Sequence, residues 1–239
     1  MTESIDRGGA PAPRDFESVL AKLRQKKREI APDRIEHLER GEPAAPPTFP
    51  LSFGQQRLWF LEQLQPGTSI YNVAAAVRLR GPFSPPRHEK ALGQVVARHE
   101  PLRTTFLDNG MEPVQRIGPP RRFVLPAVDL TGLAAPERRV AGLIADLAGA
   151  PFNLGRDLML RATLLKLDRE DSILVFAVHH LVTDAWSMGL LVRDVAKLYE
   201  GLAEARPADL PELPIQYVDY ASWQRGWLAG ERHQQQLEF

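Results

Sequence analysis

The chain has 239 residues, of which 44% are hydrophobic and 25% charged, the composition of an ordinary soluble globular protein. Lys plus Arg and Asp plus Glu number 30 each, so the net charge of zero provides no field that would attract nucleic acid or a membrane surface. The absence of cysteine excludes disulfides and thiol nucleophiles, and no apolar run is long enough to span a membrane.

Residues 1–48 are predicted to form a flexible or helical leader. Residues 1–14 are rich in Gly, Pro and charge and contain no signal-peptide core, so we expect them to be disordered in a cytoplasmic protein. Apolar residues at helical spacing predict a first helix over residues 16–23, and the capping-box spacing of Asp33 and Glu36 predicts a short second helix through Leu38. A proline-rich linker follows, and the leader is either a tether or a docking segment.

After the leader, the chain is predicted to mix strands with helices. The predicted strands are 71–79, 102–107, 112–117, 123–128, 160–167 and 173–178, and the predicted helices start at 52, 85, 136, 188 and 215. Ser52 and Gln55 form a capping box at the first of these helices, with Phe53, Trp59 and Phe60 as its apolar bulk. Asn109-Gly110 predicts a hairpin. Strands joined by tight turns indicate an α+β, two-layer sandwich with a mixed or largely antiparallel sheet.

The clearest chemical signal is His179-His180 at the end of the strand 173–178, with Asp184 four residues after the second histidine. Successive side chains on a strand point to opposite faces, so only one of the two histidines is expected to face a cleft. Histidine transfers protons near neutral pH, and Asp184 could orient it. The residues alone leave three roles open: a structural one, acid/base catalysis, and metal binding.

This segment resembles the HHxxxDG signature of the condensation domains of nonribosomal peptide synthetases. It is also similar to the shorter HxxxD signature of the wider chloramphenicol acetyltransferase-like superfamily. Three further segments resemble motifs of the same family in the same order, namely 51–61, 98–106 and 217–224. The resemblance implies that residues 49–239 form one lobe with the chloramphenicol acetyltransferase-like fold, the N-terminal lobe of a condensation domain.

The resemblance also implies a chemistry. In this family an acceptor amine attacks a donor thioester, and both substrates ride on the 4′-phosphopantetheine arms of upstream donor and downstream acceptor peptidyl carrier proteins. Carried over to this sequence, His180 is the catalytic residue, either as a general base or as a group that positions the amine. His179 is then structural, and Asp184 holds the loop by pairing with Arg57. No cofactor or metal is expected to bind.

One departure from the family pattern lies next to this motif. Ala185 stands where the family usually has Gly, which either lets the backbone approach the substrate or takes a conformation that Ala disfavours. Trp186 and Ser187 fit common family variants. The segment 98–104 resembles the subtype that joins an L-configured donor to an L-configured acceptor.

The second departure is length, because members of the resembled family have two lobes with the active-site tunnel between them. We therefore expect a first lobe, from a truncated or a split protein, that is incomplete without its C-terminal lobe, and a leader that either tethers it or docks an upstream carrier protein. Two alternatives remain open: a stand-alone coenzyme A-dependent acyltransferase of the same superfamily, and a non-catalytic module that recruits carrier proteins.

Overall fold

The computed structural model describes residues 34–42, 46–133 and 136–229. The chain divides between Ile35 and Glu36 into two units, and of the first unit only residues 34 and 35 are described. The helix predicted over residues 16–23 lies outside the described residues. Residues 34–42 contain no helix, so the prediction of a short helix through Leu38 is wrong for that range.

Within the described residues the fold contains seven strands and five helices. The strands are β1 (Thr48–Pro50), β2 (Asn72–Arg80), β3 (Thr104–Asp108), β4 (Pro113–Ile117), β5 (Ala127–Asp129), β6 (Leu160–Asp168) and β7 (Asp171–His179). The helices are α1 (Phe53–Leu64), α2 (Pro85–Arg98), α3 (Pro136–Gly149), α4 (Ala185–Ala203) and α5 (Tyr217–Leu228). None of these helices is both long and apolar enough to cross a membrane.

The strands form two sheets. The larger sheet has the order β2-β7-β6-β5, in which only the β5–β6 pair is parallel. The smaller sheet has the order β1-β4-β3 and is antiparallel. The predicted α+β class with a mixed, largely antiparallel sheet is therefore confirmed.

Helices cover both faces of the larger sheet, which explains why β7 reads as an almost continuous apolar run. On one face, Leu92 and Val95 of α2 and Leu191 of α4 pack against Phe176 and Leu160. On the other face, Val140 and its neighbours on α3 pack against Leu165 and Val175. With its strand fixed on both sides, the end of β7 is a rigid support for the residues that follow it.

Several local predictions are confirmed, and two strands differ. The Ser52–Gln55 capping box, the proline start of α2 and the hairpin at Asn109 are all present. The strand expected from residue 102 begins at Thr104, because Glu100–Arg103 form a 3₁₀ turn. The strand expected at 123–128 is shorter and begins later, as β5 (Ala127–Asp129). The segment before it does not pair as a strand, since the Leu125 N–H donates to the Glu89 carboxylate and not to a neighbouring strand.

Residues 38–40, which the sequence assigns to the leader, are bound to the folded domain. The Arg40 guanidinium donates to both carboxylate oxygens of Asp219, at 2.9 and 3.1 Å, and to both oxygens of Glu100, at 3.0 and 2.9 Å. The Leu38 N–H donates to Asp219 at 3.0 Å. Arg40 therefore ties this segment to the N-terminal end of α5 and to the 3₁₀ turn.

Candidate functional site

His179 and His180 point to opposite sides, as strand alternation predicts. His179 is the last residue of β7 and is 1% exposed, whereas His180 is exposed. The β2–β7 register pairs His179 with Asn72, and the His180 N–H donates to the Tyr71 carbonyl just beyond β2 at 2.8 Å. The backbone of His180 is thus held by a hydrogen bond to the residue that precedes β2.

The His180 ring is oriented by the turn that follows it. Its Nδ1 lies 2.5 Å from the Thr183 carbonyl, and because a carbonyl only accepts, Nδ1 carries the proton. In the neutral ring the other nitrogen, Nε2, is then an acceptor. No partner for Nε2 exists among the described residues, and the ring is open to solvent. An imidazole held in this tautomer can take a proton at Nε2 from a molecule that approaches it.

His179 stabilises the same turn from its buried side. Its Nδ1 accepts the Leu181 N–H at 3.2 Å, and its carbonyl accepts the Val182 N–H at 3.0 Å. Burial, with a smaller contribution from the charge of His180, lowers the pKa of His179 to about 4. The ring is therefore neutral at neutral pH. Its Nε2 lies 3.8 Å from the buried Glu62 carboxylate.

Helix α1 turns a polar face toward this site. Gln55 and Glu62 are the buried residues of α1, and the Gln55 side-chain amide donates to the Leu181 carbonyl at 3.2 Å. Phe53 and Phe60, named above as part of the apolar bulk of this helix, are 42% and 57% exposed. Trp59 is half-buried and packs on the cluster around Leu51, Phe106 and Ala177.

The predicted ion pair between Arg57 and Asp184 is not formed. Both residues belong to the described part of the chain, both are exposed, and no contact joins them within ion-pair distance. Asp184 is instead the N-cap of α4, where its carboxylate accepts the Ser187 N–H at 2.7 Å. Hydrogen bonding from Ser187 lowers the pKa of Asp184 below its usual value.

The position of Arg57 on its helix explains the missing pair. Arg57 follows Phe53 by four residues and precedes Phe60 by three, so it shares their exposed side of α1. Gln55 and Glu62, which are seven residues apart, occupy the opposite side and face the turn. Arg57 therefore points away from the strand end where Asp184 lies.

The other residues predicted around the motif begin α4. Ala185 is its first residue, and among described residues other than glycine only Ala205 has a positive φ, so Ala185 has ordinary helical backbone. A conformational need for glycine at this position is thereby removed. Trp186 is 79% exposed. The backbone N–H of Ser187 donates to the Asp184 carboxylate that caps α4.

An open, mainly apolar cavity of about 400 Å³ adjoins the turn. Its lining includes Thr183 and Ser187 from the turn and α4, and Ile215, Tyr217 and Tyr220 from the approach to α5. The Tyr217 hydroxyl lies 3.0 Å from the Ser52 hydroxyl at the start of α1. Burial raises the pKa of Tyr217, so its hydroxyl stays protonated at neutral pH. In the described part of the chain, no three His, Asp or Glu residues come together as a metal-binding group.

Sequence comparison identifies the family. A sequence model of the condensation domain matches residues 47–239, which is most of the chain. The chain belongs to the condensation domain family. It is 43% identical over 192 residues to a linear gramicidin synthase of Brevibacillus parabrevis, a match that covers 80% of this chain and 2% of that synthase. It is also 43% identical to the phosphinothricin tripeptide synthetase PhsC of Streptomyces viridochromogenes, over 77% of this chain and 17% of that protein.

Solved structures of the family share the fold. The X-domain bound to OxyB from teicoplanin biosynthesis superposes with a TM-score of 0.74 at 32% identity, over 85% of this chain and 42% of that one. The starter condensation domain of rhizomide synthetase superposes with a TM-score of 0.72 at 26% identity, over 79% of this chain and 46% of that one. The condensation-domain chain thus spans less than half of these two solved relatives and a small part of the synthetases.

Two residues at this site were not found by sequence reasoning. The capping box and the aromatic residues of α1 were named from the sequence, but Glu62 was not. Tyr217 was noted only as part of a motif. The seven-residue spacing of Gln55 and Glu62 was the available signal, because it places both on one helix face.

Proposed function

We propose that this chain is the N-terminal lobe, residues 49–239, of a condensation domain that forms amide bonds in nonribosomal peptide synthesis, with His180 as its catalytic residue. The observation that carries this proposal is the state of the His180 ring: Nδ1 is held by the Thr183 carbonyl, whereas Nε2 is open to solvent. A fixed imidazole with one free basic nitrogen matches the need of an amine that must lose a proton as it attacks.

The proposed reaction joins two carrier-bound groups. The acceptor amine nitrogen attacks the donor thioester carbon, the carbon–sulfur bond breaks, and the amine proton passes through His180 Nε2 to the departing thiolate. A thioester is already activated, so positioning of the amine by His180 could supply much of the rate. Both acyl groups travel on 4′-phosphopantetheine arms of an upstream donor and a downstream acceptor carrier protein, and we assign the L-donor, L-acceptor subtype from residues 98–104.

The other half of the tunnel is proposed to come from a C-terminal lobe. This proposal is supported by the exposure of His180 and by the solved relatives, which are more than twice as long as their matched part. An open site leaves water in place of one tunnel wall, and catalysis by the lobe alone is therefore expected to be weak.

The test is an assay of amide formation from loaded donor and acceptor carrier proteins, using a two-lobed synthetase module that contains this chain. We expect His180→Ala to lower kcat by about 10²- to 10⁴-fold, the range for loss of a positioned general base, with an unchanged melting temperature because the ring is exposed. His37→Ala, an exposed histidine of the leader, is the control and should keep full activity. Carrier binding with amide formation insensitive to His180→Ala would contradict the catalytic role. Acyl transfer from coenzyme A without any carrier would contradict the carrier-bound substrates.

A further inference from the structure

Two buried polar atoms beside the catalytic turn have no hydrogen-bond partner. They are Nε2 of His179 and Oε2 of Glu62, which face each other at 3.8 Å. Both side chains are almost fully buried, at 1% and 6% exposure. Buried polar atoms are nearly always satisfied in folded proteins, so two unsatisfied atoms aimed at each other call for an explanation.

The protonation of the His179 ring follows from its other nitrogen. The Leu181 N–H donates to Nδ1, so Nδ1 must be unprotonated and the ring proton lies on Nε2, on the side of Glu62. Protonation of Nδ1 would set two N–H groups against each other and break this contact. Burial keeps the His179 ring neutral, with its pKa lowered to about 4. Burial also raises the pKa of Glu62, and a hydrogen bond from the Gly67 N–H offsets only part of that rise. The contact is therefore one between a neutral imidazole and a carboxyl group.

We propose that Glu62 is a positioning residue of the condensation site. Its Oε2 accepts the His179 Nε2–H, either by a small closure of the 3.8 Å gap or through one water, and so fixes the tautomer on which the turn depends. This inference rests on the proposed function of His180, since the turn built by His179 carries that residue.

The route from Glu62 to His180 consists of short contacts. His179 bonds to the N–H groups of Leu181 and Val182 through its ring and its carbonyl, and the same turn supplies the Thr183 carbonyl that holds His180 Nδ1. If His179 lost its tautomer, the Leu181 N–H would lose its acceptor and the turn would be free to shift. The His180 ring would shift with it.

The buried side of helix α1 faces this turn. Its buried residues are both polar and seven residues apart, so they lie on one face, with Gln55 on the Leu181 carbonyl and Glu62 toward the His179 ring. Tyr71 and Phe152 pack edge-on against the ring at 6.4 and 5.9 Å between centroids. Of the titratable groups near His179, Glu62 lies 3.8 Å from Nε2 and Tyr71 packs edge-on against the ring, while His180 points to the opposite side.

The first test reads the histidine rings directly. We would record ¹H–¹⁵N spectra of the chain labelled in histidine, with the His179 and His180 signals assigned by substitution, for wild type, Glu62→Ala, Glu62→Gln and the control Gln63→Ala on the exposed side of α1. Wild type and Gln63→Ala should show His179 as the Nε2–H tautomer with a slowly exchanging ring proton. Glu62→Ala should lose that slow exchange and shift the His180 ring signals. Glu62→Gln, whose amide oxygen is still an acceptor, should restore the tautomer.

The second test measures amide formation in the two-lobed module. We expect Glu62→Ala to lower kcat by about tenfold or more with an unchanged KM for the carriers, and Glu62→Gln to recover most of the loss, because the effect acts through alignment of His180. Unchanged His179 and His180 ring signals in a folded Glu62→Ala protein would overturn the proposal, as would loss of the Nε2–H tautomer of His179 in a folded Glu62→Gln protein. If wild type forms no amide, the proposed function fails, whereas the ring spectra still decide the role of Glu62.

Discussion

Asp184 shows how a local hydrogen bond decides the role of a residue. A carboxylate at the start of a helix can accept the N–H three residues ahead without ordering any distant side chain. A pair with Arg57 would instead require the long Arg57 side chain to reach from α1 to the start of α4. The cap satisfies a helix N–H that has no partner within the helix. The position of Asp184 in the motif is thus explained by the start of α4, just beyond the turn that holds His180.

This explanation predicts different effects for the two residues of the expected pair. Asp184→Ala should lower the free energy of unfolding by about 1 kcal/mol, the usual effect of losing an N-cap, while Asp184→Asn should stay close to wild type. Arg57→Ala should change stability by less than about 0.5 kcal/mol, as expected of an exposed residue without a partner in the described fold. Urea unfolding of the three variants is the measurement. Equal losses for Asp184→Ala and Arg57→Ala would instead support the ion pair.

At the scale of elements, residues 38–40 are part of the folded domain. Asp219 is completely buried and accepts hydrogen bonds from Arg40, Leu38 and Gln216. A buried carboxylate needs such partners, because an unpaired charge in the interior is costly. The segment before β1 therefore supplies the cation that makes the N-terminal end of α5 stable.

Arg40→Ala should therefore destabilise the domain by about 2 kcal/mol, the range for hydrogen bonds to a charged group, while the exposed neighbour Glu39→Ala should have little effect. Guanidinium unfolding measures both variants.

Burial alone would raise the pKa of Asp219, but hydrogen bonds, chiefly from Arg40, outweigh burial and lower this pKa below 3.8. A lowered carboxyl pKa adds stability above the unfolded-state value, and this stability is lost as the pH falls through the folded-state value. The difference between wild type and Arg40→Ala should consequently shrink below about pH 4, and a difference that is constant with pH would argue against the Asp219 contact.

At the scale of the whole molecule, α1 carries an exposed apolar stripe, while Leu58 and Trp59 pack on the core beside the buried Gln55 and Glu62. Phe53, Phe60 and Leu64 follow one another at spacings of seven and four, so they form one stripe, and they are 42%, 57% and 62% exposed. Exposed apolar stripes of this kind promote association in water. The stripe lies on the side of α1 opposite to Gln55 and Glu62.

The isolated chain is expected to self-associate as its concentration rises, and Phe60→Ser with Leu64→Ser should weaken this association several-fold. Gln63→Ser, between them in sequence, is the matched control and should behave as wild type. Sedimentation velocity over a range of concentrations is the measurement. A wild-type chain that stays monomeric at high concentration would show that the stripe does not drive association.

Much of the fold could be predicted from the sequence because its signals are local. Capping at Ser52, the proline start of α2, the Asn109 hairpin and the apolar run of β7 each act within a few residues, and each appears where it was expected. The opposite orientations of His179 and His180 follow from the two-residue period of a strand. The segment 123–128 was predicted less well because its alternation is real but its backbone bonds to a side chain of α2.

The sequence by itself determined the family, the element order and the place of the two histidines at the end of a buried strand. The tertiary structure alone decided which side of α1 faces the core, where the Asp184 carboxylate binds, and that Arg40 belongs to the domain. The physical reason is that periodicity defines the faces of a helix without saying which face is inside. That choice depends on what lies opposite, and here it is the turn after β7, where the Leu181 carbonyl accepts from Gln55 and the His179 ring lies beside Glu62.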